Sequence, residues 1–245
     1  EGISALGTAI CPIGTAKPGE VVVTYKRNTL PPGTGLLDLE RGQEADLTYY
    51  DWITDSTVDI GRGWGYVKGL GFKTLDNLVD NLVDRVSKNG YLLLNVGPKP
   101  DGTIPKQSAA ILRRIGKWYQ AVKESLESVQ PASHLTSNRN VMLTRRDRTL
   151  YVHLSKDPQG DGVKLKPFNV APKRATLLNT GKPVDFVVNL TPADHKEQKA
   201  YLRLLHLPAN KLANTVLVVK LEFDCPLEEL VRQTSAPDKV TDWQK

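Results

Sequence analysis

Two short runs of the chain are apolar without alternation, Val21-Val22-Val23 leading into Thr24-Tyr25, and Tyr91-Leu92-Leu93-Leu94-Asn95-Val96. Strands covered on both faces read this way, as in a parallel sheet flanked by helices. Between them Leu75, Leu78, Val79, Leu82, Val83 and Val86 recur at helical spacing, with Thr74 placed as N-cap and Asn89-Gly90 as the stop. A second helix is predicted beyond the turn Lys99-Pro100-Asp101-Gly102. Pro105 suits its first turn, and Leu112, Ile115, Trp118, Tyr119, Val122 and Leu126 form its apolar stripe. Helix and buried strand alternate here in a β/α rhythm, which fades near Gln130-Pro131.

From Asn140 the period changes to two. Leu150, Val152 and Leu154 alternate with Thr149, Tyr151 and His153, and Arg146-Asp147-Arg148 reads as a turn. Further strands are expected over 175–178, 184–188, 201–205 and 215–221, at a spacing that suggests an antiparallel β-sandwich. The domain boundary is placed accordingly: residues 1–130 as an α/β unit and 131–245 as a β-sandwich domain. The tail after Thr234 is polar.

The chain of 245 residues is 40% hydrophobic and 24% charged, and no apolar run is long enough to cross a bilayer. A membrane partner is therefore not expected. The net charge of +6 raises nucleic acid as a partner, but Lys and Arg are scattered among acids. The one tight group, Arg145, Arg146 and Arg148, is interrupted by Asp147, and no nucleic-acid partner is expected. Two cysteines, Cys11 and Cys225, exclude a disulfide scaffold and a thiolate-rich zinc site. His134, His153, His195 and His206 show no ligand spacing, so no metal is expected. The sequon Asn189-Leu190-Thr191 carries little weight with Pro192 behind it. Gly61-Arg62-Gly63-Trp64-Gly65 is glycine-rich, but the polar TDSTVDI before it and the lack of a Gly-Lys-Ser/Thr triplet argue against a nucleotide loop.

The stretches VVVTYKR, LLDLERGQ, DWITDSTVDIGRGWGYVKG and LVDRVSKNGYLLLNVGPKPDGTIP, with the helix ILRRIGKWY, together resemble the second half of the catalytic domain of family 29 α-L-fucosidases. SKNGYLLLNVGPKPDG is the longest and most specific match. The resemblance implies an α/β fold class, part of a (β/α) TIM-like barrel followed by an antiparallel β-sandwich domain. It implies a retaining, exo-acting glycosidase that needs no cofactor and acts on a fucosylated oligosaccharide or glycoside.

Such hydrolysis needs two carboxyl groups, one attacking the anomeric carbon and one exchanging protons with the leaving oxygen and with water. On the resemblance, Glu40 takes the acid/base role, in a loop after a strand and near Gly33, Gly35 and Gly42. The plainer reading of Glu40 is a solvated carboxylate paired with Arg41. Lys26, beyond VVVTY, stands where the family places a basic residue touching the sugar or the nucleophile; the alternative is a surface lysine. Trp64 resembles an aromatic position lining the fucose pocket, with core packing as its alternative. Trp52 reads as structural, and Ile53 stands where family members often carry a polar or acidic residue, which leaves linkage specificity open.

Residues 1–20 contain no aspartate, and neither Glu1 nor Glu20 stands in a matching motif. The nucleophile is therefore expected outside this chain, in a missing N-terminal half or a second chain that completes the barrel. The alternative function is a non-catalytic fucose- or carbohydrate-binding fragment. A homo-oligomer is left open, as is the compartment, with a secreted, periplasmic or lysosomal location placed ahead of the cytoplasm.

Overall fold

A computed structural model describes residues 23–229 except 27, 28, 32, 62, 155–159, 198, 210, 211, 213 and 214. Cys11 and the first residues of the VVVTY run lie outside the described residues.

The first sheet is wholly parallel. It contains β1 (Thr24–Tyr25), β2 (Leu36–Asp38), β3 (Trp52–Thr57) and β4 (Gly90–Asn95), in that spatial order. Register pairs Tyr25 with Leu37, Leu37 with Trp52 and Trp52 with Gly90, so these residues share one face. Tyr25, Leu37 and Trp52 form a small core there. Trp52 is fully buried, and its indole N–H donates to the Lys88 carbonyl at 3.1 Å. The ring occupies the space a side chain would take at position 90: a Cβ added to Gly90 would come within 2.6 Å of Trp52 Cζ2. Glycine at 90 is thus a packing requirement of the strand rather than only a helix stop.

The opposite face carries Thr24, Leu36, Asp38, Ile53, Asp55, Tyr91, Leu93 and Asn95, matched by the same register. Tyr91 is 53% exposed and Leu93 51%. The apolar run of β4 predicts burial on both sides, whereas among the described residues one side is covered. Apolarity of a strand records the burial it is suited to, whichever segment provides the cover.

Helix α1 (Leu75–Ser87) buries Leu78, Val79 and Val83. Thr74 stands at the N-cap position in an extended conformation, but its side chain makes no capping bond. The chain reverses at Asn89, with φ 68°, a left-handed conformation that asparagine tolerates. Helix α2 (Lys106–Val122) has Pro105 at its N-cap position and buries Trp118 and Val122, while Leu112 lies at the solvent edge, 36% exposed.

The remaining strands form two antiparallel sheets. One runs β10-β9-β13-β7-β6-β5, built from β5 (Gln130–Pro131), β6 (Met142–Arg146), β7 (Thr149–Leu154), β9 (Arg174–Leu177), β10 (Lys182–Pro183) and β13 (Leu217–Glu222). The other runs β11-β12-β8, from β8 (Val163–Lys164), β11 (Asp185–Asn189) and β12 (Tyr201–Leu205). Strands β6 and β7 form a hairpin closed by Asp147-Arg148, with Asp147 at φ 51°. Leu143, Leu150, Val152, Leu177, Leu202, Leu204, Leu217 and Val219 are among the side chains that form one cluster between the two sheets.

The outer face of the larger sheet is also covered. Tyr151, Val216 and Val218 pack with Val79, Val83, Trp118 and Val122, so α1 and α2 lie against this sheet. Both sets of the alternating pattern in β7 are therefore buried, one against the smaller sheet and the other against the helices.

His153 belongs to that second set and is fully buried. Thr144 Oγ1 donates to the Ser125 carbonyl at 2.7 Å, which leaves its oxygen to accept from His153 Nε2 at 3.0 Å. The ring is neutral, since burial pushes its pKa down from 6.5 to about 3. A depressed histidine pKa costs folding stability as pH falls below 6.5, because the unfolded chain binds a proton that the folded one refuses. Between pH 7 and pH 5 this one group should remove about 2 kcal/mol. Urea unfolding of the protein and of His153→Gln at both pH values tests this: the loss on acidification should be smaller in the variant by about that amount.

Candidate active site

The C-terminal ends of the parallel strands and the loops beyond them gather the candidate side chains. Lys26 follows β1, Asp38 ends β2, Glu40 lies two residues beyond it, and Asp55 lies in β3. Trp64 sits in the glycine-rich loop that follows β3, and Asn95 closes β4.

Lys26, Glu40 and Trp64, singled out separately from the sequence, converge. Lys26 Nζ donates to Glu40 Oε2 at 2.8 Å. The Glu40 pKa falls below the usual carboxylate value, first through the Lys26 hydrogen bond and the Lys26 charge and to a smaller degree through Trp64. Lys26 is raised in turn, chiefly by its bond to Glu40 and further by the charges of Asp38 and Asp55. Glu40 is 45% exposed along its side chain, open to a ligand and to water.

Arg41, whose charge also helps to lower the Glu40 pKa, takes a further role. With φ at 55°, Arg41 turns its guanidinium over the Trp64 ring, 4.7 Å from the centroid. It donates to the carbonyls of Gly61 at 2.5 Å and Gly63 at 3.1 Å. Asn95 Nδ2 donates to the Trp64 carbonyl at 2.9 Å. The glycine-rich loop thus lends its carbonyls to an arginine that fixes the indole, and no phosphate cradle is needed to account for it. Gly97 has a related duty: a Cβ there would lie 2.6 Å from the Gly65 carbonyl carbon, so the loop can rest on the end of β4 only over glycine.

Asp38 and Asp55 were not singled out from the sequence. Both approach the same ammonium, with Asp38 Oδ2 at 3.5 Å and Asp55 Oδ2 at 3.7 Å from Lys26 Nζ. The Asp38 carboxyl is raised above its usual pKa by burial and then by the charge of Asp55, against a lowering by Lys26. The i, i+2 spacing of Asp38 and Glu40 was the available signal, but it pointed to one face only once LLD was known to be a strand. Trp52 lies in the core, away from these groups, as a structural residue. Among the described residues no group of three or more His, Cys, Asp or Glu is placed to hold a metal ion, and no helix is long and apolar enough to cross a membrane.

A carboxylate at the ends of parallel strands, beside a lysine and an indole, is suited to exchanging protons with a bound sugar, and comparison with known proteins puts this chain among the relatives of glycoside hydrolases. Residues 14–124 match the family model described as Alpha-L-fucosidase. Tissue alpha-L-fucosidase of Bos taurus is 26% identical over 154 residues, covering 61% of this chain and 33% of that protein. Its counterpart in Mus musculus is 31% identical over 139 residues, covering 54% and 30%. Among solved structures, alpha-L-fucosidase isoenzyme 1 from Paenibacillus thiaminolyticus superposes with a TM-score of 0.64 at 28% identity, over 76% of this chain and 44% of that one. The Thermotoga maritima alpha-fucosidase shares the fold, with a TM-score of 0.62 at 24% identity, over 82% and 45%. The chain spans about a third of the length of these curated relatives.

Proposed function

We propose that this chain is the later part of an exo-acting, retaining α-L-fucosidase that removes terminal α-L-fucose from glycans or glycosides. Residues 1–130 then form the C-terminal part of a (β/α) TIM-like barrel and 131–245 the β-sandwich domain behind it. The observation that carries the proposal is the Glu40 carboxylate at the strand ends, bonded at 2.8 Å by Lys26.

Glu40 protonates the glycosidic oxygen as it leaves and then, as carboxylate, takes a proton from the water that releases the fucosyl group. Lys26 supplies positive charge beside the attacking carboxylate or the sugar hydroxyls. Trp64, held flat under Arg41, offers its ring to the C–H face and methyl group of the deoxy sugar. The two carboxyl groups complete the reaction without a cofactor. The attacking carboxylate belongs to a preceding segment or a second chain. The uncovered Tyr91 and Leu93 on the face shared with Asp38 and Asp55 support this, since they are apolar side chains on the side that a closed barrel would fill.

The test uses the complete polypeptide or assembly carrying this chain, incubated with 4-nitrophenyl α-L-fucoside and followed by proton NMR. The α anomer of fucose should form first and mutarotate later. First formation of the β anomer would remove the retaining mechanism, and fucose binding without hydrolysis would favour a carbohydrate-binding protein.

A further inference from the structure

The contact that brings Glu40 into the site also opposes its first task. A proton donor must carry a proton, and the Lys26 ammonium at 2.8 Å favours the ionised form. Lys26 has other carboxylates within reach, at 3.5 Å on Asp38 and 3.7 Å on Asp55. The spread of these three distances is less than the length of one covalent bond, so a small swing about the lysine side-chain torsions exchanges one partner for another.

Asp38 Oδ2 and Asp55 Oδ2 converge on the one Lys26 ammonium, at 3.5 and 3.7 Å. Each has one oxygen, Oδ1, that is buried and has no hydrogen-bond partner among the described residues. Two ionised carboxylates cannot donate to each other, and buried acceptors without donors are costly. A proton held between the two groups supplies the missing donor and relieves the repulsion of like charges. The geometry therefore describes a lysine between two acceptor sites, Glu40 on one side and a carboxyl pair able to hold a proton on the other.

Resting on the fucosidase reading, we infer that Asp38 and Asp55 are positioning residues that form a second seat for the Lys26 ammonium, and that a proton passes to Glu40 as Lys26 moves onto them. The exchange balances. With Lys26 on Glu40, the group comprises Glu40 carboxylate, Lys26 ammonium and one proton held by the Asp38–Asp55 pair. With Lys26 on the pair, it comprises protonated Glu40, Lys26 ammonium and two aspartates without a proton. Total charge and proton count are the same in both arrangements, so the step needs no proton from bulk solvent. Among the described residues Arg41 also acts on Glu40, and its contacts with the Trp64 ring and the Gly61 and Gly63 carbonyls hold it in place in both arrangements.

The test is Asp38→Asn/Asp55→Asn in the complete enzyme, with Asp55→Asn alone as a milder variant should the double one fold poorly. Both changes keep shape while removing the seat. Lys26 then stays on Glu40, and Glu40 must take its proton against the full charge of the lysine. The basic limb of the pH profile of kcat/KM should move down by about one unit, and a fucoside with a poor alcohol leaving group should lose about tenfold at neutral pH. The 4-nitrophenyl fucoside, whose leaving group needs little protonation, should retain most of its turnover. An equal loss on both substrates with an unmoved pH profile would show a structural role only and overturn the proposal, as would a double variant with wild-type profiles. Carboxyl carbon-13 NMR separates this from failure of the fucosidase reading, since it needs no turnover. The Glu40 midpoint should fall in the variants, and an unchanged midpoint would overturn the exchange whatever the substrate proves to be.

Discussion

Replacing Glu40 with alanine is expected to cost about 10²–10⁴-fold in kcat/KM on natural fucosides. The size follows from the leaving group. A sugar alkoxide is a poor one, and without a proton donor it must depart carrying its full charge. The same variant should lose far less in the first step with 4-nitrophenyl fucoside, because nitrophenolate is stable unprotonated. Its second step also suffers, since water attacks the fucosyl intermediate without a base. Azide attacks without needing to lose a proton, so adding it should restore aryl fucoside turnover and yield a fucosyl azide. Those three readings, taken together on the complete enzyme, distinguish loss of acid/base chemistry from collapse of the site. Equal losses on both substrates with no effect of azide would remove Glu40 from the proton transfers.

The largest expected stability effect lies far from that chemistry. Trp118 of α2 is 7% exposed and donates its indole N–H to the Val216 carbonyl at 2.9 Å, joining positions 98 residues apart in sequence. Its ring fills the cluster formed by Val79, Val83 and Val122 on the helices and Tyr151 and Val218 on the sheet. Trp118→Ala should lower stability by about 3–5 kcal/mol, through lost burial and the cavity left behind. Trp118→Phe should cost much less, about 1 kcal/mol for the lost hydrogen bond with some packing loss. The Val216 carbonyl is not orphaned in that variant, since Asn179 Nδ2 also donates to it at 3.0 Å. Urea unfolding distinguishes the two: similar midpoints for both variants would mean that the ring is not what couples α2 to the sheet.

Much of the architecture is readable in the chain because the period of apolar residues is a local property. Leu78, Val79 and Val83 mark α1, Trp118 and Val122 mark α2, and the alternation through Leu150, Val152 and Leu154 marks β7 together with its hairpin to β6. Strands β2 and β3 escape that reading. LLD is three residues long, and WITDST carries Asp55 and hydroxyls where a buried strand would be apolar. Asp38 and Asp55 face Lys26, while the Thr54 and Ser56 hydroxyls on the other face bond the Gly42 carbonyl and Lys73, so neither strand shows the continuous apolar run that would reveal it. The same applies to Arg41. Nothing in its sequence neighbourhood distinguishes a partner of Glu40 from a support for Trp64 until the left-handed turn at Arg41 has set its direction.

By itself, the sequence determined the helices, the change from a β/α rhythm to paired strands, and the three residue types at 26, 40 and 64, since each depends on a local pattern or on a motif. Only the tertiary structure decided that Lys26 bonds Glu40, that Arg41 stacks on Trp64, that Asp38 and Asp55 share that lysine, and that both faces of β7 are buried. The physical reason is that a hydrogen bond or a pKa depends on distances between strands paired side by side, and those distances exist only once register has placed residue 38 opposite residue 53.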